Sequence, residues 1–205
     1  SGDVDNSNGL IASAGNFVVA DTQAQAGSNN AIKTQTVTNT GGTILADVGL
    51  IIDGATLTGE GNVLSNGDLR VSFLGDYTNP VGAKFEAAGK GTFEVSGTLT
   101  NLGQLLARDA LLVKATDIDN AVTGEINSSA TSVVASNTVT NRGLIDGGST
   151  YVQGSTVTNL GTGRIYGGTV AVQAGVLNNN AETVAGVSSS AIIASRGDLD
   201  IGVVT

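Results

Sequence analysis

Carboxylates are the one class of side chain in this sequence with broad chemical reach. The 205 residues contain no Cys, His, Met or Trp, so thiolate nucleophiles, imidazole bases and disulfides are excluded. There are 18 Asp and Glu against 9 Lys and Arg. Paired carboxylates could move protons or hold a hard cation. Asp117 and Asp119 flank Ile118, and strand alternation sends both to one outer face. Asp47, Asp53, Asp76, Asp109, Glu125 and Asp146 are spread along the chain, and no neighbouring segment brings a matching acid to the phase of that pair. The expectation is a solvated acidic surface, with no catalytic residue, no metal ligand and no cofactor.

Three further patterns invite a functional reading. Arg196-Gly197-Asp198 spells a tripeptide that integrins recognise in some adhesins. However, Gly67-Asp68-Leu69 places the same Gly-Asp-Leu at the same phase as Gly197-Asp198-Leu199, which reads as a turn leading into a strand. Thr-x-Thr recurs at Thr36-Val37-Thr38, Thr56-Leu57-Thr58, Thr98-Leu99-Thr100, Thr138-Val139-Thr140 and Thr156-Val157-Thr158. Such files resemble ice-binding faces, but Asp76, Asp117, Asp119, Val176 and Asn178 interrupt them, and β-propensity on an exposed strand accounts for them. Asn127-Ser128-Ser129 is a single glycosylation-type sequon, close to chance in a chain of this length.

The elements that carry these residues are set by a repeat. An apolar residue, a polar residue and then Asn recur at Val37-Thr38-Asn39, Tyr77-Thr78-Asn79, Leu99-Thr100-Asn101, Ile118-Asp119-Asn120, Val139-Thr140-Asn141, Val157-Thr158-Asn159 and Leu177-Asn178-Asn179. Val4-Asp5-Asn6 stands in front, and Leu57-Thr58-Gly59 fills one gap with Gly in place of Asn. From Val37 the steps are 20, 20, 22, 19, 21, 18 and 20 residues. A second apolar stripe runs through Ile44, Leu64, Phe85, Leu105, Ile126, Ile145 and Ile165, and a third through Ile52, Val71, Val95, Val113, Val134, Val152 and Val172. Three stripes at a fixed period predict three short strands per coil, with successive coils stacked in parallel. The predicted fold is all-β: a right-handed parallel β-helix of roughly nine coils of about 20 residues, forming one repeat domain over 1–205. The Asn residues at 6, 39, 79, 101, 120, 141, 159 and 179 are predicted to form a structural ladder, since Asn tolerates sharp corners and stacked amides bond from coil to coil. The polar, off-period segment 21–35 is predicted to be a loop after the first coil, and 181–190 an irregular segment.

Composition agrees with a narrow β-core: Gly supplies 30 residues, Pro one, and aromatics only 3%. A net charge of −9 with no basic run argues against nucleic acid or anionic lipid as a partner. No apolar run approaches the roughly 20 residues that span a bilayer. Both ends read as mid-repeat, so the expectation is an internal piece of a longer secreted chain.

Two stretches carry a resemblance: Thr138-Val139-Thr140-Asn141-Arg142-Gly143-Leu144-Ile145-Asp146-Gly147, and Val157-Thr158-Asn159-Leu160-Gly161-Thr162-Gly163-Arg164-Ile165-Tyr166-Gly167 with Val170-Ala171-Val172-Gln173-Ala174-Gly175 after it. Their repetition in register resembles the filamentous haemagglutinin repeats of two-partner-secretion exoproteins, a group of adhesins, contact-dependent growth-inhibition effectors and haemolysins. That resemblance implies a monomeric shaft at the bacterial surface, exported by an outer-membrane two-partner-secretion transporter and meeting a target-cell receptor or surface glycan. It implies a non-enzymatic structural and interaction segment. The alternatives are a receptor-binding module, with 21–35, Phe73 and Phe93 as candidate contacts, and a carbohydrate-active β-helix enzyme, which would need acids clustered on one face. The Arg196-Gly197-Asp198 tripeptide is the weak adhesion candidate.

Overall fold

Alternation of apolar and polar residues is what turns this chain into a solenoid. The computed structural model describes residues 3–20 and 31–204. Among them there is no helix, and parallel strands stack in coils of about 20 residues. About seven turns follow one another without interruption, from Val37 to Leu177. That is fewer than the roughly nine coils expected, although the described anchors number nine, from Val4 to Leu177.

Three files of strands make the walls. The anchor file pairs Val4 with Val37 and Leu57, then Tyr77 with Leu99, Ile118, Val139, Val157 and Leu177. The second file runs from Leu10–Ser13 to Ile192–Ser195, and the third from Asn16–Ala20 to Leu199–Val203. In the later coils the corner between the third and anchor files is so slight that one strand serves both, as in Ala110–Asn120, with a register shift between Ala115 and Asp117.

The core lies inside the coils. Leu99, Ile118, Val139 and Val157 from the anchor file meet Leu105, Ile126, Ile145 and Ile165 from the second and Val113, Val133 and Val152 from the third, all essentially inaccessible to solvent. The structure corrects three stripe positions. Val63 faces inward where Leu64 was expected, Phe93 stands in the third stripe in place of Val95, and Val133 replaces Val134. With a period of two, a one-residue slip exchanges the inner and outer faces. Adjacent apolar residues such as Val63-Leu64 and Val133-Val134 leave that choice open to the pairing register.

Phe73 and Phe93, candidates for an exposed patch, are instead buried with Tyr77 and Phe85. Phe73 stacks on Tyr77 at 4.0 Å, and Phe85 meets Phe93 edge-on at 5.0 Å. Burial pushes the Tyr77 phenol above its usual range.

The two off-period segments also differ from expectation. Residues 21–30 lie outside the described residues. The end of that predicted loop, Ala31–Lys33, is a strand pairing in parallel with Val18–Ala20, on the side opposite Gly49–Asp53. Residues 181–190 form a regular antiparallel hairpin, Ala181–Val184 against Val187–Ser190, turning at Ala185 and Gly186, both with positive φ.

Candidate functional site

The Asn ladder is the most regular polar feature of the rod. Each ladder Asn follows its anchor by two residues, so it points inward at the end of a strand. Asn39, Asn79, Asn101, Asn120, Asn141 and Asn159 are fully buried, Asn6 nearly so, and Asn179 is exposed at the last rung. Each Nδ2 donates forward along the chain: Asn6 to Asn39 Oδ1 at 2.7 Å, and Asn79, Asn101, Asn120, Asn141 and Asn159 each to the next Oδ1 at 2.7 or 2.8 Å. The same nitrogen also reaches the carbonyl that opens the second strand of the following coil, as from Asn6 to Thr43 and from Asn120 to Leu144. One amide thus ties both its own file and the next corner.

Gly59 breaks this ladder. Asn39 Nδ2 donates to the Asn62 carbonyl at 3.0 Å, and Asn79 Oδ1 is a buried acceptor with no hydrogen bond. At the same level the anchor file parts. Val4–Asp5, Thr36–Thr38 and Thr56–Thr58 form a three-stranded sheet separate from the twenty-stranded one.

The Arg196-Gly197-Asp198 corner is built like its earlier counterpart. Gly197 N–H donates to Ser195 Oγ at 3.2 Å, as Gly67 N–H does to Ser65 Oγ at 3.3 Å. Leu199 stands in the file that leads through Val170, Thr150, Thr131, Leu111 and Gly91 to Leu69. The tripeptide is exposed, at a corner whose form the repeat dictates.

The acids brace corners. Asp68 Oδ1 accepts from Lys90 N–H at 2.8 Å, Asp76 Oδ1 from Thr98 N–H at 2.7 Å, and Asp117 Oδ1 from Thr138 N–H at 3.1 Å as well as from the Thr138 hydroxyl. In each case the donor belongs to the following coil. Hydrogen bonds from Ser7 hold the Asp5 carboxyl below its usual range. Asp117 and Asp119 stand between Thr98 and Thr100 on one side and Thr138 and Thr140 on the other, so the acid pair is a single rung in two threonine files. Among the described residues no three acidic side chains gather as ligands for a metal ion.

Among the described residues a groove of about 740 Å³ runs along the corner between the second and third files. Glu86, Glu125, Asn127 and Asp146 line it, together with Arg108 near its Glu86 end and Arg196 at the other. Glu125 is held by Gln104 Nε2 at 2.7 Å, and Glu86 pairs with Lys84 at 2.6 Å. Between the arginines the corner carries only the small residues Ser129, Gly148 and Gly168. A polar, elongated ligand is the kind this groove can take. Sequence reading singled out Glu125, Asn127, Asp146 and Arg196 separately but missed Glu86, Arg108 and the groove, because the corners that align them differ in length from coil to coil.

Architecture and site together define a β-solenoid whose polar groups serve mainly to join coil to coil. Comparison of the chain with family models, curated proteins and solved structures gave no match.

Proposed function

We propose that this chain is a non-enzymatic shaft and cell-surface interaction segment of a large secreted bacterial exoprotein, an adhesin or a toxin-delivery effector. The observation that carries the reading is the continuous pairing of the anchor file from Tyr77 to Leu177, with forward-donating amides from Asn79 through Asn159. A wall of parallel strands resists bending because each coil's backbone groups are bonded to the coils on either side. Contacts between successive coils are local, so folding can advance coil by coil as the chain leaves an outer-membrane transporter. The partners proposed are that transporter during export and a target-cell receptor or surface glycan afterwards.

A receptor- or glycan-binding module is the second reading, favoured by the groove that runs from Glu86 to Arg196. Calorimetric titration of the chain with acidic and neutral oligosaccharides separates the two. The shaft reading expects no saturable heat that depends on the groove's charged side chains, and no new reducing ends. Saturable binding that disappears in a variant combining Arg108→Ala, Glu125→Gln, Asp146→Asn and Arg196→Ala, with its β-structure intact, would replace the shaft by the binding module.

A further inference from the structure

The last coil leaves the common path at the corner between the anchor and second files. Coil eight passes from Asn159 to Arg164 through a tight turn containing Gly161, which has a φ of 55°. Coil nine places the hairpin 181–190 at this corner before rejoining the rod at Ile192, in register with Arg164. The hairpin folds back towards earlier coils. Gly161 N–H donates to the Asn180 carbonyl at 3.1 Å, and Arg164 Nη1 donates to the Ser190 carbonyl at 3.1 Å, which fixes its base. Of its arm, the Glu182 side chain reaches the rod, crossing coil eight to the Arg142 guanidinium of coil seven. The pair is two-pronged: Arg142 Nε donates to Oε2 at 3.0 Å and Nη2 to Oε1 at 3.0 Å. Gly161 makes the crossing possible, since a Cβ there would lie 2.9 Å from Glu182 Oε2 and 3.0 Å from its Cβ.

Arg142 has a second carboxylate beside it. Its Nη1 lies 4.0 Å from Asp119 Oδ1, an oxygen shielded from solvent that accepts no hydrogen bond. A shielded carboxylate oxygen without a donor is costly, and a guanidinium is the group best shaped to relieve it. We propose that Arg142 is a two-position latch: seated on Glu182 it straps the hairpin across coil eight, and seated on Asp119 it leaves the hairpin free.

The arm it controls is the one antiparallel strand pair among the described residues. Thr183 and Ser188 bond each other, and Val184 and Val187 beside the turn are 64% and 68% exposed. Release would turn this tip from a patch lying along the rod into a projecting arm with an open strand edge at Val187–Ser190. The strap also spans three coils, so it resists peeling of the last one.

Two measurements test the latch at neutral pH, each on the whole chain. Amide exchange in 182–189 should rise up to about five-fold in Glu182→Gln, the range of an exposed ion pair, while exchange in 144–160 stays as it was. In Asp119→Asn the free state loses its seat, so exchange in 182–189 should fall below that of the unaltered chain. Equal or faster exchange in Asp119→Asn would overturn the two-position latch, as would unchanged exchange in Glu182→Gln. A crystal structure of Glu182→Gln gives the direct view. Arg142 should stand within hydrogen-bond distance of Asp119 Oδ1, and a guanidinium still 4 Å away would refute the proposal.

Discussion

A ladder asparagine works here because its amide has one acceptor facing back along the rod and two donor hydrogens facing forward. At Asn120 both needs are met within the core, by Asn101 behind and by Asn141 and Leu144 ahead. Removing that side chain strands a donor and an acceptor in a dry interior, each worth about 1–3 kcal/mol. Asn120→Ala is therefore expected to cost about 2–4 kcal/mol in urea unfolding. Asn79→Ala should cost at least about 1 kcal/mol less, since Asn79 Oδ1 has no partner to lose. Equal losses would show that the ladder is not what the buried amides contribute. The eight ladder positions and the break at Gly59 are legible in the sequence as a spacing. The orphaned oxygen is not, because it depends on which way the amides run. The Arg142–Glu182 pair carries the clearest pH dependence. Arg142 holds Glu182 below its ordinary value of 4.5, so the stabilisation it gives is complete above that pH and is lost as pH falls through the lowered value. Hairpin protection, taken as exchange relative to the intrinsic rate at each pH, should fall in that window, and in Glu182→Gln it should not change across it.

At the scale of strands and corners, what decides the fold is how closely successive coils approach. The residue before each second strand is Gly9, Gly42, Gly61, Gly103, Gly124, Gly143 and Gly163, with Ala83 and, after the hairpin, Ala191 as the exceptions. A Cβ at Gly124 would sit 2.3 Å from both the Asn101 carbonyl and Asn120 Oδ1. Gly124→Ala is expected to cost more than about 2 kcal/mol, since backbone and amide must both move. Ala83 follows the coil that has Gly59 in place of Asn, so no ladder amide from behind crowds its methyl group. The two departures at 59 and 83 are thus one structural event. Thermal unfolding of Gly124→Ala beside Ala83→Gly measures this, and the second change should be mild by comparison. Strand existence and number per coil were readable from periodicity. The facing of Val63 against Leu64 and Val133 against Val134 was not, because only the pairing register chooses between adjacent apolar residues. The hairpin at 181–190 escaped recognition because its turn is Ala185-Gly186, without the Asn or Asp that usually marks so tight a turn.

The whole molecule is a stack in which each coil supports the next. An exposed amide donor at the leading Asn and a carbonyl-lined corner offer the following coil its place, which suits a chain that folds from one end as it is delivered. Repeat, period and architecture were all visible in the sequence. The proposed role as a shaft rests on that architecture and on the resemblance to filamentous haemagglutinin repeats, because the local features at the corners are explained by joining coils. The unit of this protein is the complete coil. Excising 99–117 joins Thr98 to Ile118 with every file in register and sets Asn79 against Asn120. The resulting chain should fold cooperatively, with β-type circular dichroism and a rod about 4.8 Å shorter by small-angle scattering. Excising 99–108, about half a coil, should abolish cooperative unfolding. If the full-coil deletion fails to fold, or the half-coil deletion folds as well as it does, the coil is not the unit and the account is wrong.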